Sequence, residues 1–248
     1  MKRWVMFSLV ILASLITGVG YYYYNYIYVS PKTLAERTIG TDNLAYNELV
    51  ESVKTRLDTG SYEYKVLINP VCGGDNKGQT SGTLTESNTV LTVAQYVKLL
   101  NTDETLGIFL TRESDTDPDA DKRESIYDMV SPDMVIDLHL SSDTDNSVMG
   151  TTVYYDDGYY DYHMTNSMLS DIMEKAVVTQ IEGVAGGIAP SDDESYAFIY
   201  DRKIPSAAIC CGYISNAKEA EAMASDAYLS NIAQGILDGI AEVRSNVN

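Results

Sequence analysis

Basic residues are scarce in this 248-residue sequence, which holds 17 Lys and Arg against 36 Asp and Glu and has a formal net charge of −19. The first 30 residues contain Lys2 and Arg3 but no acidic residue, so residues 31–248 keep 15 basic and 36 acidic side chains and carry −21. A field of that sign repels nucleic acid and anionic lipid headgroups. The composition therefore excludes DNA or RNA as an expected partner.

Long hydrophobic runs are absent except at the N-terminus. There, an apolar stretch from Trp4 to Gly20 and a Tyr-rich stretch from Tyr21 to Val29 follow Lys2 and Arg3 without a charged residue. This uncharged span is long enough to cross the roughly 30 Å hydrocarbon layer, and tyrosines suit its far interface. The stretch has no cysteine, which excludes a lipid-modified N-terminus, and no small-x-small site stands out for cleavage.

The N-terminal pattern predicts an uncleaved signal anchor over residues 1–29, with a cleaved signal peptide as the alternative. The positive-inside rule places residues 1–3 in the cytoplasm and everything after the span outside it. We therefore expect a single-pass membrane protein with an extracytoplasmic C-terminal domain.

The rest of the chain divides into a juxtamembrane segment, residues 30–63, and a folded domain, residues 64–248. Spaced apolar residues predict a short helix in the juxtamembrane segment. In the domain, β-branched runs alternate with helical patterns, which predicts an α/β fold with a mostly parallel central sheet flanked by helices. The predicted strands are Tyr64–Asn69, Leu106–Thr111, Met134–Leu140, Thr151–Tyr155, Tyr196–Tyr200 and Ala207–Cys211; the predicted helices are Glu86–Leu100, Asp121–Val130, His163–Ile181 and Ala217–Val243.

Cysteine and histidine are also few, with three Cys and two His in the whole chain. Cys72 follows the first predicted strand, His139 ends a middle strand, and Cys210 ends a late one. Glu86 opens the first long helix. Because functional sites of such sheets gather at the carboxyl ends of the strands, we expect these four residues to meet at one edge. The other histidine, His163, is interpreted as a surface or packing residue.

In this order, the segments resemble the zinc-dependent N-acetylmuramoyl-L-alanine amidases, which cut the bond between the glycan and the stem peptide of peptidoglycan. The resemblance covers residues 64–243. It rests on Gly73-Gly74 with Gly78, on Glu86, on Leu110-Thr111-Arg112, on Asp137-Leu138-His139-Leu140, on Gly150 to Tyr155 (GTTVYY), and on Pro205 to Asn216 with Gly212, Tyr213, Ser215 and Asn216. It also implies a structural role for Arg112, tethering the following loop by pairing with Asp115 or Asp133.

The resemblance implies that Cys72 stands at the position of the family's first histidine ligand and Cys210 at that of its catalytic glutamate. The implied metal ligands are then Cys72, Glu86 and His139. The family uses zinc to lower the pKa of a bound water and a carboxylate to take its proton. A thiolate can bind zinc, but a thiol near zinc tends to ligate it instead of moving protons. Loss of a general base costs on the order of 10²–10⁴ in rate.

Three interpretations of the cysteines remain open. In the first, the cysteines are inert buried side chains, as we expect for Cys211 on the opposite strand face. In the second, Cys72 and Cys210 form a disulfide that abolishes zinc binding. In the third, Cys72, Cys210, Glu86 and His139 form a closed, structural zinc site. Residual activity would need an open fourth position and another acid, such as Asp193 or Glu194.

The expected function is that of a membrane-anchored amidase-family protein acting at bacterial peptidoglycan, with catalysis impaired at Cys210. The alternative is a non-catalytic scaffold that binds peptidoglycan or another cell-wall protein.

Overall fold

The computed structural model describes residues 31–159, 161, 163–191 and 194–247. The predicted anchor over residues 1–29 lies outside the described residues. Within them, no helix combines the length and the apolar character needed to cross a bilayer.

The chain divides after Leu44 into two units, of which the second is Ala45–Asn248. Helix α1 (Pro31–Thr59) continues into the second unit, where Leu49 and Val53 are buried against Leu67 and Phe109. The helix predicted in the juxtamembrane segment is therefore present and longer than its apolar spacing indicated. Residues 45–59, which the sequence interpretation assigned to that segment, belong to the folded unit.

The centre of the second unit is a six-stranded sheet in the order β4-β1-β5-β8-β6-β7. Four of its five strand pairings are parallel, and only β6 against β8 is antiparallel. The mostly parallel sheet predicted from the sequence is thus confirmed. The strands are β1 (Tyr64–Pro70), β4 (Leu106–Leu110), β5 (Met134–Ser141), β6 (Thr151–Tyr155), β7 (Ala185–Pro190) and β8 (Ser206–Tyr213), and a small separate hairpin is formed by β2 (Thr80–Ser81) and β3 (Leu84–Thr85).

Helices cover both faces of the sheet and bury two separate clusters of apolar side chains. One face packs against α2 (Glu86–Leu100), α4 (Asn166–Ile181), α5 (Ala217–Met223) and α6 (Asp226–Val247). The other face packs against α1, α3 (Ala120–Val130) and a 3₁₀ helix (Glu194–Ile199). Residues on alternate positions of each strand feed the two clusters, as the period of two requires.

Two predicted elements differ from the structure, and one strand was not predicted. The predicted strand Tyr196–Tyr200 lies largely in the 3₁₀ helix, where Phe198 and Ile199 are both buried, although neighbours in a strand point to opposite faces. The edge strand that the sequence did not predict is β7, whose AGGIAP sequence lacks the apolar alternation of a strand. The predicted helix Ala217–Val243 is interrupted after Met223 and forms α5 and α6.

Candidate functional site

The segment after β1 makes a tight turn at the carboxyl edge of the sheet. Cys72 has a left-handed backbone with φ 62°, and Gly73 follows at φ 141°. A Cβ on Gly73 would lie 1.9 Å from the carbonyl oxygen of Thr116, so only glycine fits there. The loop that contains Thr116 also receives an ion pair from Lys77 to Asp115 at 3.0 Å. The two loops therefore brace each other and fix the position of Cys72.

Arg112 is the buried tie between this turn and its surroundings. Its Nε donates to the carbonyl of Pro70 at 2.7 Å, and its Nη2 donates to those of Val71 at 2.9 Å and Ser87 at 2.7 Å. Its Nη1 donates to the carbonyl of Ser114 at 3.0 Å, so it does tether the following loop. The expected pairing of Arg112 with Asp115 or Asp133 was wrong, because backbone carbonyls take its donors and the carboxylates bind elsewhere. Burial lowers the pKa of Arg112 to about 10.

Glu86 stands at the first position of α2, and its carboxylate joins two backbone segments. Oε2 accepts from the backbone N–H of Gln79 at 2.8 Å, and Oε1 accepts from that of Leu140 at 3.0 Å. Gly78 makes this approach possible, since a Cβ there would lie 2.3 Å from Glu86 Oε2 and 2.8 Å from Cys72 Sγ. Glu86 thus faces Cys72 across Gly78 on one side and is bonded to the end of β5 on the other.

His139 is oriented by a buried chain of polar side chains. Its Nε2 donates to Asp137 Oδ2 at 2.9 Å, which leaves Nδ1 to face Glu86 Oε1 at 3.8 Å. The other oxygen of Asp137 accepts from Asn69 at 2.6 Å, and Asn69 in turn accepts from Thr111 at 2.5 Å. Burial opposes the charged imidazole, yet the carboxylates of Asp137 and Glu86 outweigh it and raise the pKa of His139.

Cys210 lies on β8 in register with His139 and is only 1% exposed. The hydroxyl of Tyr196 is 3.5 Å from its sulfur. Burial raises the pKa of Cys210 to about 11, and burial together with Glu86 and Asp117 raises that of Cys72 to about 12. Both thiols therefore hold their protons at neutral pH. Cys211 points into the core of the opposite face, as predicted.

The model of the N-acetylmuramoyl-L-alanine amidase family (Amidase_3) matches residues 66–242 of this chain. This chain belongs to that family.

Relatives of the amidase domain share about a quarter of its residues. An N-acetylmuramoyl-L-alanine amidase, CwlM of Bacillus licheniformis, is 22% identical over 179 residues, which cover 71% of this chain and 67% of CwlM. LytH of Staphylococcus epidermidis, described as a probable cell wall amidase, is 25% identical over 186 residues, which cover 73% of this chain and 58% of LytH. The chain thus spans less than two thirds of the LytH protein that it matches.

Solved amidase structures have the same fold. The catalytic domain of CwlV from Bacillus (Paenibacillus) polymyxa superposes with a TM-score of 0.65 at 24% identity, covering 74% of this chain and 99% of that domain. AmiC2 of Nostoc punctiforme gives 0.66 at 22% identity, covering 75% and 99%. CwlD of Clostridioides difficile, solved in complex with the GerS lipoprotein, gives 0.64 at 20% identity, covering 75% and 100%.

The disulfide expected as one alternative is absent from this amidase fold, because all three cysteines are free thiols. The strand order gives the reason. β5 lies between β1 and β8, so the chain at the end of β1 and Cys210 are separated by two strand spacings, roughly 9.5 Å. A disulfide needs Cα atoms within about 7 Å.

The metal site implied by the amidase family is only half assembled. Imidazole, carboxylate and thiol are all ligands that zinc accepts, and Glu86 and His139 approach each other. No group of three or more His, Cys, Asp or Glu side chains converges on one point among the described residues. The residues as placed therefore do not fit a zinc ion, and zinc binding by Cys72, Glu86 and His139, with or without Cys210, stays a prediction.

An open cleft of about 650 Å³ lies over this half-site. Cys72, Glu86 and His139 are on its wall, but Cys210 is not among the described residues that line it. The other lining side chains are mostly polar or aromatic and include Arg123, Asp143, Tyr154, Tyr196 and Tyr213. As for the substitute acids, Asp193 and the side chain of Glu194 lie outside what the structure describes.

The sequence interpretation missed Asp137, Asn69 and Tyr196. The first could have been found, because Asp137 precedes His139 by two residues in one strand and therefore shares its face. Asn69 likewise ends the neighbouring strand in register with Asp137. Tyr196 gave no usable signal, since the segment that contains it was predicted as a strand.

Proposed function

We propose that this protein acts at bacterial peptidoglycan as an amidase-family domain that binds the polymer without hydrolysing it. Membership of the family and relatives that are cell wall amidases support peptidoglycan as the ligand. The absence of hydrolysis is proposed because Cys210 has a protonated thiol and stands at the position where the resemblance implies the catalytic glutamate.

A general base works best when its pKa lies near the operating pH. Cys210 has a pKa of about 11 and is shielded from solvent, so it neither accepts a proton at neutral pH nor reaches a water in the cleft. Cys72 cannot replace it, since its pKa is about 12. A nucleophilic role is disfavoured for the same reason, because the thiolate is the reactive form. The two ring nitrogens of His139 face Asp137 and Glu86, so neither activates a thiol.

Zinc is the group that an amidase of this family would use to activate water. Glu86 and His139 supply two of the ligands that such an ion needs, and a third would have to come from a shift of Cys72 towards them. We propose that the protein holds zinc weakly or not at all, and that the cleft keeps its role in recognition.

The proposed location is the outer face of a membrane. The uncharged span from Trp4 to Val29 behind Lys2 and Arg3 supports an anchor, and the acidic composition of residues 31–248 disfavours adhesion to anionic lipid. Carbonate extraction of membranes, followed by protease treatment of intact cells, tests this. Recovery of the intact protein in the soluble fraction would contradict it.

The decisive experiment compares binding with turnover. The full chain, purified in detergent, is mixed with purified peptidoglycan sacculi; co-sedimentation reports binding, and release of stem peptide reports turnover. We expect binding without release, and metal analysis well below one zinc per chain. Stem-peptide release that disappears in Glu86→Ala and His139→Ala would overturn the proposal.

Binding of a protein partner is the second candidate, favoured by the structural neighbour CwlD, which was solved with a lipoprotein. The same co-sedimentation separates the two. A purified chain that fails to bind sacculi, yet is retained on them in the presence of cell-envelope extract, would favour the partner.

A further inference from the structure

Tyr196 contacts two residues that we call the floor, His139 on the cleft wall and the buried Cys210 behind it. Its ring meets that of His139 edge to face, with centroids 4.9 Å apart and planes at 72°. Its hydroxyl is 3.5 Å from Cys210 Sγ. Tyr154 stacks on its ring, with centroids 4.8 Å apart and planes at 18°. Tyr196 thus contacts both His139 and Cys210, the residue at the position that the resemblance implies for catalysis.

The burial of the floor agrees with this covering position. Cys210 is 1% exposed, and the side chain of His139 is 12% exposed, although both stand at the carboxyl edge of the sheet where ligands bind in folds of this kind. Cys72, by contrast, is half-buried and lies on the cleft wall. The difference between the two thiols follows the position of the tyrosine.

The segment that carries Tyr196 is held to the domain by residues that follow the tyrosine, from Phe198 to Arg202. Phe198 and Ile199 are buried in the apolar cluster that α1 and α3 share. Arg202 donates from Nε to the carbonyl of Phe198 at 2.8 Å and forms a two-bond ion pair with Glu124 of α3. Its guanidinium also stacks over Tyr127, 4.1 Å from the ring centroid. These contacts fix the position of the segment, and with it the position of Tyr196 next to His139 and Cys210.

We propose that Tyr196 is a plug that seals Cys210 from the cleft and confines ligands to its outer part, along Asn76, Gln79, Arg123 and Asp143. The aromatic pair with Tyr154 fixes the ring, and the Arg202–Glu124 clamp fixes its backbone. A glutamate at position 210 would extend further than the cysteine and would need the space that the phenol fills. Tyr196 therefore limits which ligands can reach His139 and Cys210, and it does so independently of the cysteine that stands at position 210.

The three cysteines of the full chain report on this plug, and the readout uses no peptidoglycan, so its result is independent of the proposed function. The full-length protein is treated with N-ethylmaleimide under native conditions, and mass spectrometry measures the modification rate at each cysteine. We expect Cys72 to react slowly, because its thiol is mostly protonated, but faster than Cys210 and Cys211, because Cys72 lines the cleft and the other two are buried. In Tyr196→Ala, the rate at Cys210 should rise on the order of ten-fold or more, while Cys211 stays protected.

Two further variants sharpen the test. Tyr196→Phe keeps the ring and should leave the rate at Cys210 within about two-fold of the wild type. Tyr200→Ala removes an exposed tyrosine of the same segment and should behave as the wild type. Equal rates at Cys210 in the wild type and Tyr196→Ala would overturn the proposal. Modification of Cys211 together with Cys210 in Tyr196→Ala would overturn it too, because Tyr196 would then be a packing residue of the whole domain.

Discussion

Replacement of Arg112 by methionine should destabilise the domain by disconnecting the turn that holds Cys72. Methionine matches the side chain of arginine as far as Nε and has no donors, so the change removes the guanidinium and keeps the apolar stem. Four carbonyls lose their donor, and they belong to Pro70, Val71, Ser87 and Ser114. Arg112→Lys is the matched variant, because it keeps the charge but loses the planar fork that reaches four acceptors.

The size of the effect follows from two opposing contributions. A carbonyl left without a donor costs about 1–3 kcal/mol where its bond is buried, as at Pro70 and Ser87, and less where it is partly buried. With about 1 kcal/mol for each of the partly buried bonds to Val71 and Ser114, the four together cost roughly 4–8 kcal/mol. Against this, burial lowers the pKa of Arg112 to about 10, which means that burial disfavours its charge by about 3 kcal/mol that methionine recovers. The net loss for Arg112→Met is therefore expected at about 1–5 kcal/mol, which overlaps the range of about 3–5 kcal/mol typical of breaking a buried charged network from one side. Arg112→Lys should lose about half as much, since one ammonium serves at most three acceptors.

Urea unfolding followed by circular dichroism measures both variants, as a shift of the midpoint at an unchanged slope. The expected order of stability is wild type, then Arg112→Lys, then Arg112→Met. A loss below about 0.5 kcal/mol for Arg112→Met would refute the reasoning, because it would mean that water or other donors satisfy the carbonyls. A lysine variant less stable than the methionine variant would show that the charge, not the donors, decides the outcome.

Three smaller predictions concern other parts of the domain. Gly78→Ala and Gly82→Ala both place a side chain on a left-handed backbone, with φ 64° and 60°, but only at Gly78 does the new Cβ meet atoms within 4 Å. Thermal unfolding should show a loss of about 1 kcal/mol for Gly82→Ala and at least twice that for Gly78→Ala, whereas equal losses would contradict the crowding argument. Cys210 has a pKa of 9.0 when unfolded and about 11 when folded, so its contribution to stability is complete below pH 9 and is lost as the pH rises towards 11. Between pH 8 and 10 the wild type should lose about 1 kcal/mol more than Cys210→Ala; parallel pH profiles would be inconsistent with a buried thiol. Finally, Leu49→Ala should cost about 2–3 kcal/mol, and Leu99→Ala, at an exposed position, should stay within about 0.5 kcal/mol; similar values for both would mean that α1 is not part of the core.

Much of the fold could be predicted because local patterns and tertiary environment agree. α2 begins and ends at the predicted residues since Thr85 caps its first turn, accepting from the N–H of Asn88, and its apolar positions follow one face. The buried strands β1, β4 and β5 were equally clear, because runs of β-branched residues have few other stable conformations. Where pattern and environment disagree, the prediction was wrong, as for Tyr196 and the glycine-rich edge strand β7.

The sequence predicted which residues lie at the candidate site, but it did not predict how far apart they are. The sequence indicated that Cys72 and Cys210 reach the same edge of the sheet, and it left a disulfide open. It did not contain the strand order, and the insertion of β5 between β1 and β8 is what separates the two thiols. Spatial order in a parallel sheet depends on crossover connections and on packing of the helices, which no local pattern encodes.

The buried chain from Thr111 through Asn69 and Asp137 to His139 has a consequence for the stability of this domain. Apolar residues of the same shape would be about as stable there, or more so, because a buried polar network gains little over well-packed hydrocarbon. The chain nevertheless keeps the network complete, and with it an imidazole whose Nδ1 faces a carboxylate. The network therefore contributes little to stability, and its effect is to hold the ring of His139 in one orientation at the carboxyl edge of the sheet.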